Sequence, residues 1–173
     1  GTNWLGKSMR DVLESELALL VRHGVFARRT PGRNDAPPAL DEAYDLDQTK
    51  FLDFLKRIPN GHGAHSLILR GCYAAQLRPW YEAFGRDPIL VLKCEDMDTP
   101  EGAHEQVRKA RNHVGLRDHP LDDPSPKNTR SYDTQDPALL ADLAAFYAPL
   151  NLEFYGLLNW SEDRHWPAAR PAQ

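Results

Sequence analysis

Asp87 to Asp96 reads "DPILVLKCED". Four aliphatic residues in a row, Ile89 to Leu92, stand between a Pro-containing turn and a pair of carboxylates. An unbroken apolar run of this length predicts a strand covered on both faces, as in a parallel α/β sheet. It is the one clear core strand in the chain, and it sets the expected fold class as α/β. Just upstream, "SLILRGCYAAQLRPWYEAFG" (66–85) places Leu69, Tyr73, Leu77, Trp80 and Phe84 on one side of a long helix. Pro79 should kink or divide that helix, because it lacks an N–H and its ring crowds the preceding turn. Just downstream, "DTPEGAHEQVRKARNHVGL" (98–116) starts a new helix, with Thr99 as N-cap, Pro100 in the first turn and Gly115 at the end. Its buried stripe is Ala103, Val107, Ala110 and Val114.

Further out, "MRDVLESELALLVRHG" (9–24) carries Met9, Val12, Leu13, Leu17, Leu20 and Val21 at helical spacing. Ser8 sits at its N-cap with Asp11 three residues on, a variant of the capping box. Gly24 stands where a left-handed residue closes a helix. Residues 26–46 have no period and read as a surface loop, an insertion between helices. "DQTKFLDFLKRIP" (47–59) predicts a short helix capped by Asp47, buried through Phe51, Leu55 and Ile58, and stopped at Pro59. Residues 117–135 form a long Pro/Asp loop, of a length that often carries function. Asp136 and Pro137 launch "ALLADLAAFY", and Pro149 separates it from a final helix, "LNLEFYGLLNW" (150–160); residues 167–173 are a tail. One strand would thus serve at least five helices. That imbalance predicts the C-terminal part of an α/β domain whose other strands lie upstream.

With 173 residues, 41% of them apolar, the chain can form one domain with a core or a piece of a larger one. A net charge of -4 argues against a general nucleic-acid binder. No apolar run approaches the roughly 18 residues needed to cross a bilayer. A chain that begins at Gly1 reads as trimmed, so any membrane anchor is expected outside it. Cys72 and Cys94 form neither a disulfide framework nor a zinc motif and read as buried free thiols. His62 and His65, in the Gly-rich "GHGAHS" (61–66), read as a solvated loop, and no metal site is expected.

Two stretches could carry chemistry. "GTNWLGKS" (1–8) matches G-x-x-x-x-G-K-[ST], the P-loop pattern, which would place Gly6, Lys7 and Ser8 around a phosphate. A P-loop needs a buried strand running into it, and the helix cap already accounts for Ser8. Glu95 and Asp96 could serve as the magnesium-binding carboxylates of such an enzyme, or could cap the next segment. The second stretch, "KNTRSY", sets Lys127 and Arg130 among the donors Asn128, Thr129 and Ser131, in an otherwise acidic loop. Arg presents a planar fork that fits phosphate oxygens and Lys adds a point charge; Tyr132 could lie against a base. A solvated loop is the alternative.

Residues 67–116, "LILRGCYAAQLRPWYEAFGRDPILVLKCEDMDTPEGAHEQVRKARNHVGL", resemble the Golgi carbohydrate sulfotransferases: a G-x-Y-A helix with L-x-x-W, a strand ending in Glu-Asp, and a helix closing on Gly-Leu. "NTRSYDTQDPALLADLAAFYAPLNLEFYGLLNW" (128–160) is similar to the same family's end, with its basic loop, helix and P-x-N turn. The likeness is strongest to the chondroitin and heparan sulfate O-sulfotransferases and runs from about Met9 to Trp166. It implies the C-terminal part of a P-loop-like three-layer sulfotransferase fold, mostly helical in this portion. It also implies 3′-phosphoadenylyl sulfate as co-substrate, a glycosaminoglycan-like acceptor, no metal, no nucleic acid, and a Golgi lumenal enzyme anchored as a type II membrane protein. In the family the basic loop contacts the donor, often as K-G-R. Arg130 takes the Arg position, Asn128 and Thr129 replace Lys and Gly, and Lys127 lies one place early. Residues Lys127 to Tyr132 are therefore the implied donor contacts, and Arg70 and Tyr73 the implied acceptor contacts. The donor 5′-phosphosulfate loop and the catalytic base are expected upstream of Gly1, leaving the catalytic residue unassigned. A P-loop kinase or NTPase, and a carbohydrate-binding paralogue without transfer activity, are the rival readings.

Overall fold

The structure, a computed structural model, describes residues 6–30, 36–57, 67–125 and 136–166. Within them are six α-helices and one two-stranded antiparallel sheet, a mostly helical mixed α/β composition. The chain divides into two compact units, Gly1–Leu77 with Thr134–Gln173, and Arg78–Asp133. No helix among the described residues is long and apolar enough to cross a membrane.

The first unit is built around helix α1, Met9–Arg22. Its N-terminus is the expected capping box: Asp11 N–H donates to Ser8 Oγ, and Ser8 N–H donates to the Asp11 carboxylate, both at 3.1 Å. Gly24, at φ +71, closes the other end. Leu13, Leu17 and Leu20 are buried and Met9 is exposed. Each buried Leu contributes about 1.5–3 kcal/mol relative to exposure.

Residues 26–46 correct the sequence reading. Their ends pair as a hairpin, β1 (Phe26–Arg28) with β2 (Tyr44–Leu46), Phe26 opposite Leu46. Three-residue strands are too short to show alternation, so the pattern was invisible. Tertiary contacts specify them instead. Phe26 and Tyr44 are buried against Phe146, with ring centroids 5.4 and 5.8 Å away. Beside them Arg28 Nε donates to Glu42 at 2.7 Å, and the Tyr44 hydroxyl donates to the same carboxylate at 2.9 Å. Burial, together with that bond to Glu42, pushes the Tyr44 phenol up to about 12. Helix α2, Gln48–Arg57, follows with Asp47 as cap, accepting from Lys50 N–H at 2.9 Å. It buries Phe51 and Phe54, leaves Leu55 half-buried, and is followed by Ile58, which lies outside the described residues.

The long helix expected over 66–85 is two helices, α3 (Leu67–Arg70) and α4 (Tyr73–Phe84). The break falls at Gly71-Cys72 and not at Pro79. A Cβ on Gly71 would lie 2.5 Å from Cε1 of Tyr147, so the Tyr147 ring occupies the space a side chain would need. Pro79 stays inside α4. It has no N–H for the Ala75 carbonyl four residues back, and Gln48 Nε2 donates to that carbonyl at 2.8 Å instead.

Helix α6, Pro137–Leu158, is likewise one helix through Pro149, where a break was expected. Its N-cap is Asp136, accepting from Ala138 N–H at 2.9 Å. Leu139, Phe146, Leu150 and Phe154 form one buried stripe spanning Pro149, and this continuous apolar face holds the two halves in line. Asn159, at φ 54, ends it in the left-handed conformation that Asn tolerates.

In the second unit the expected strand is absent. Ile89 to Leu92 carry no regular structure and pair with no strand among the described residues. Apolarity makes a segment fit for a sheet, but a strand exists only where another strand takes its hydrogen bonds. Helix α5, Pro100–His113, has the expected Thr99 cap and Gly115 terminator, at φ +73. It buries Ala103 and Gln106 and leaves Val114 66% exposed. Trp80 (59%) and Phe84 (62%), expected in a core stripe, are also exposed and stack on each other at 5.7 Å.

The residue that ties the first unit together interrupts an apolar face. Glu16, 8% exposed on α1, accepts from the backbone N–H groups of Leu67 (2.9 Å) and Ile68 (3.1 Å), so its carboxylate caps α3 from 51 residues away. Bonds to a charged acceptor contribute more than neutral ones, and an unmet buried donor costs further. Glu16→Ala is expected to lower unfolding free energy by roughly 2–3 kcal/mol, and Glu16→Gln, which keeps one acceptor oxygen, by about half of that. Chemical denaturation measures both. An Ala variant within about 0.5 kcal/mol of wild type, the range of an ordinary surface change, would contradict the capping role.

Candidate functional site

Arg70 and Tyr73 flank the α3–α4 break, and the way that break is held decides where they go. Glu16 satisfies the N-terminal end of α3. At its C-terminal end Gln76 Nε2 donates to the carbonyls of Leu69 (3.0 Å), Arg70 (3.1 Å) and Cys72 (3.4 Å). Tyr147 crosses the middle, its hydroxyl donating to Ile68 O at 2.9 Å, and burial pushes that phenol well above its usual range. With Ile68 and Leu69 turned inward and fully packed, Arg70 is left exposed at one side of the break and Tyr73 at the other, 45% exposed.

Tyr73 does not lie alone. Its ring sits 5.4 Å from Phe154 and 5.6 Å from Trp166, and Phe154 and Trp166 are themselves parallel-stacked at 5.9 Å. The segment bearing Trp166 is fastened to the end of α6. His165 stacks on Tyr155 at 3.9 Å, and Trp166 N–H donates to the Tyr155 hydroxyl at 3.0 Å. The result is an aromatic surface at Tyr73, three residues along the chain from the exposed Arg70: ring faces can cover the C–H face of a sugar, and a guanidinium can meet a carboxylate or sulfate. Trp166 escaped the sequence reading. The only trace is Trp160 and Trp166 following the last helix, which says nothing of where either ring lands.

Lys127, Asn128, Thr129, Arg130, Ser131 and Tyr132, the residues expected to contact a donor, lie outside the described residues, as do His62 and His65. Of the P-loop-like stretch, Gly1 to Leu5 also lie outside, whereas Gly6, Lys7 and Ser8 are described. Gly6 has φ +87 and Lys7 is exposed. The Ser8 hydroxyl donates to Asp11 Oδ2 at 2.7 Å. That hydroxyl, with the Ser8 N–H, holds the Asp11 carboxyl below its usual range. An anion brought to this helix start would face a carboxylate already seated there.

Glu95 and Asp96 fall in a short 3₁₀ turn, Cys94–Met97, ahead of α5. Asp96 Oδ2 accepts from Gln106 Nε2 at 3.4 Å, and its carbonyl lies so close to Gly102 that no side chain would fit there. These contacts give Asp96 a packing role against α5. Of the two thiols, Cys72 is buried as expected, and burial, with Glu16 and Glu153 nearby, pushes it up to about 12. Cys94 is exposed, a correction that follows from the missing strand. No group of three or more His, Cys, Asp or Glu among the described residues could hold a metal ion. Comparison with family models, curated proteins and solved structures finds no match.

The capping geometry makes a prediction. Ser8→Ala should cost on the order of 1 kcal/mol of stability, while Lys7→Ala should leave nucleotide affinity unchanged. Because Asp11 is depressed in the folded state, its share of the cap is complete above the usual carboxylate range and fades as pH falls through the lowered value. Thermal unfolding against pH and nucleotide titration of both variants check this. A large loss of nucleotide affinity in Lys7→Ala would restore the P-loop assignment.

Proposed function

We propose that this chain is the C-terminal part of a carbohydrate sulfotransferase of P-loop-like three-layer fold, acting in the Golgi lumen on a glycosaminoglycan-like acceptor with 3′-phosphoadenylyl sulfate as donor. The reaction is an in-line displacement. A sugar hydroxyl oxygen attacks the sulfur, a base takes the hydroxyl proton, and the bond from sulfur to the bridging phosphate oxygen breaks. Cations on that oxygen and on the nucleotide phosphates stabilise the charge that develops. Arg130, with Lys127 and the hydroxyl and amide groups between and after them, is the proposed clamp on the donor nucleotide. Arg70 and Tyr73 are the proposed acceptor contacts.

The observation that carries this reading is the exposure of Tyr73. On sequence alone it fits a core stripe as well as an acceptor surface, and a core Tyr would be closed off by its neighbours. It stands instead 45% exposed on two other rings, three residues from an exposed Arg. The engagement of Ser8 by Asp11 weighs against the kinase or NTPase reading. A carbohydrate-binding protein without transfer activity would share the acceptor surface and lack the donor clamp, so the clamp is the place to test.

Adenosine 3′,5′-bisphosphate, the donor product, is titrated into wild type, Arg130→Ala and Arg130→Lys, with melting temperature as the folding control. A bidentate charged contact should cost roughly 1.5–3 kcal/mol of binding in the Ala variant, and Lys should restore only part of it, having no planar fork. Equal affinity in all three would remove this loop from the donor site.

A further inference from the structure

A cleft of about 340 Å³ lies between the C-terminal turn of α1 and one face of α2, lined by Leu19, His23, Lys50, Asp53, Phe54 and Arg57. Lys50 and Arg57 are seven residues apart, two full turns, so they leave the same face of α2 with about 10 Å of helix between them. Asp53 and Phe54 occupy the turn between. Phe54 is buried and with Leu19 makes an apolar floor; the His23 ring meets it edge-on, centroids 5.2 Å apart. The stem of Lys50 runs past Gly24, where an added Cβ would sit 3.8 Å from its Cγ, in ordinary contact. Asp53 is ion-paired with Lys56 at 3.8 Å, whereas Lys50 and Arg57 have no ion pair among the described residues.

This arrangement selects among anions. A compact anion such as inorganic phosphate, drawn to both cations at once, would sit over the Asp53 carboxylate and be repelled by it. A ligand with two separate anionic groups joined through a hydroxyl-bearing ring meets one cation at each end. Its ring hydroxyls donate to Asp53 in the middle, and its C–H face covers Phe54 and Leu19. We propose that the cleft binds a stretch of sulfated or uronate-bearing polysaccharide, as a contact for the acceptor chain additional to Arg70 and Tyr73. The identity of the polymer rests on the sulfotransferase reading; the twin-anion, hydroxyl-bearing chemistry rests on the cleft alone.

The test is calorimetric titration of a chondroitin sulfate hexasaccharide into wild type, a Lys50→Ala/Arg57→Ala double variant and a Lys50→Arg/Arg57→Lys double variant. Inorganic phosphate and adenosine 3′,5′-bisphosphate are titrated separately into each. Both cations are exposed, so melting temperatures should stay level. The Ala pair should bind the hexasaccharide about tenfold more weakly, as expected for two exposed charged contacts, and the charge-conserving pair should retain most of the affinity. Wild-type binding should also weaken with added salt. Unchanged affinity in the Ala pair, no hexasaccharide binding by wild type, or phosphate binding as tight as the hexasaccharide would each overturn the cleft assignment. The nucleotide arm is independent: a wild type that binds the hexasaccharide through Lys50 and Arg57 but no nucleotide loses the transferase reading and keeps the cleft.

Discussion

A four-residue helix cannot hold itself together, because nucleation costs more than one turn of hydrogen bonds returns. Helix α3 is such a helix, and it exists because other elements supply its partners. Glu16 from α1 takes its first N–H groups, Gln76 from α4 takes its last carbonyls, and Tyr147 from α6 takes the carbonyl of Ile68 between them. Three helices thus converge on one turn of backbone. Removing Gly71 from the arrangement would drive a side chain into Tyr147. What this fixes is direction: Ile68 and Leu69 point into the core, so Arg70 and Tyr73 must point out of it.

How much of this could be read beforehand depended on distance along the chain. The caps at Ser8, Asp47, Thr99 and Asp136, and the terminators at Gly24 and Gly115, are settled by groups within a few residues of one another, and the sequence carries them openly. Features settled by distant partners were misread. Pro79 reads as a breaker until Gln48 supplies the bond it cannot make. Pro149 reads as a boundary until the stripe from Leu139 to Phe154 is seen to be continuous. Glu16 drew no reading from the sequence at all, because the backbone N–H groups it caps lie 51 and 52 residues away. The candidate site divides the same way. Arg70 and Tyr73 were expected from the family resemblance alone, whereas the ring contact of Trp166 with Tyr73 joins residues 93 positions apart and leaves no local mark in the sequence.

The segment on which the fold class was read, Ile89 to Leu92, shows the limit of a local pattern. Its apolarity is real and is not fully buried: Leu90 is 39% exposed. Of the ten large apolar side chains exposed among the described residues, six belong to the unit Arg78–Asp133: Trp80, Phe84, Leu90, Met97, Val114 and Leu116. That unit also holds the one buried side-chain acceptor without a partner among the described residues, Oε1 of Gln106. Its apolar groups outnumber what its own helices enclose, in contrast with the first unit, whose core runs unbroken from Leu13 to Leu150.

Function turns on whether sulfur changes hands. 3′-Phosphoadenylyl sulfate labelled in its sulfur, incubated with chondroitin and the protein carrying this sequence, measures that directly. Label recovered in the polysaccharide, with adenosine 3′,5′-bisphosphate formed in equal amount, is the predicted result. Label that stays on the nucleotide, in a protein that instead releases phosphate from ATP, would contradict sulfuryl transfer and favour phosphoryl chemistry at Lys7.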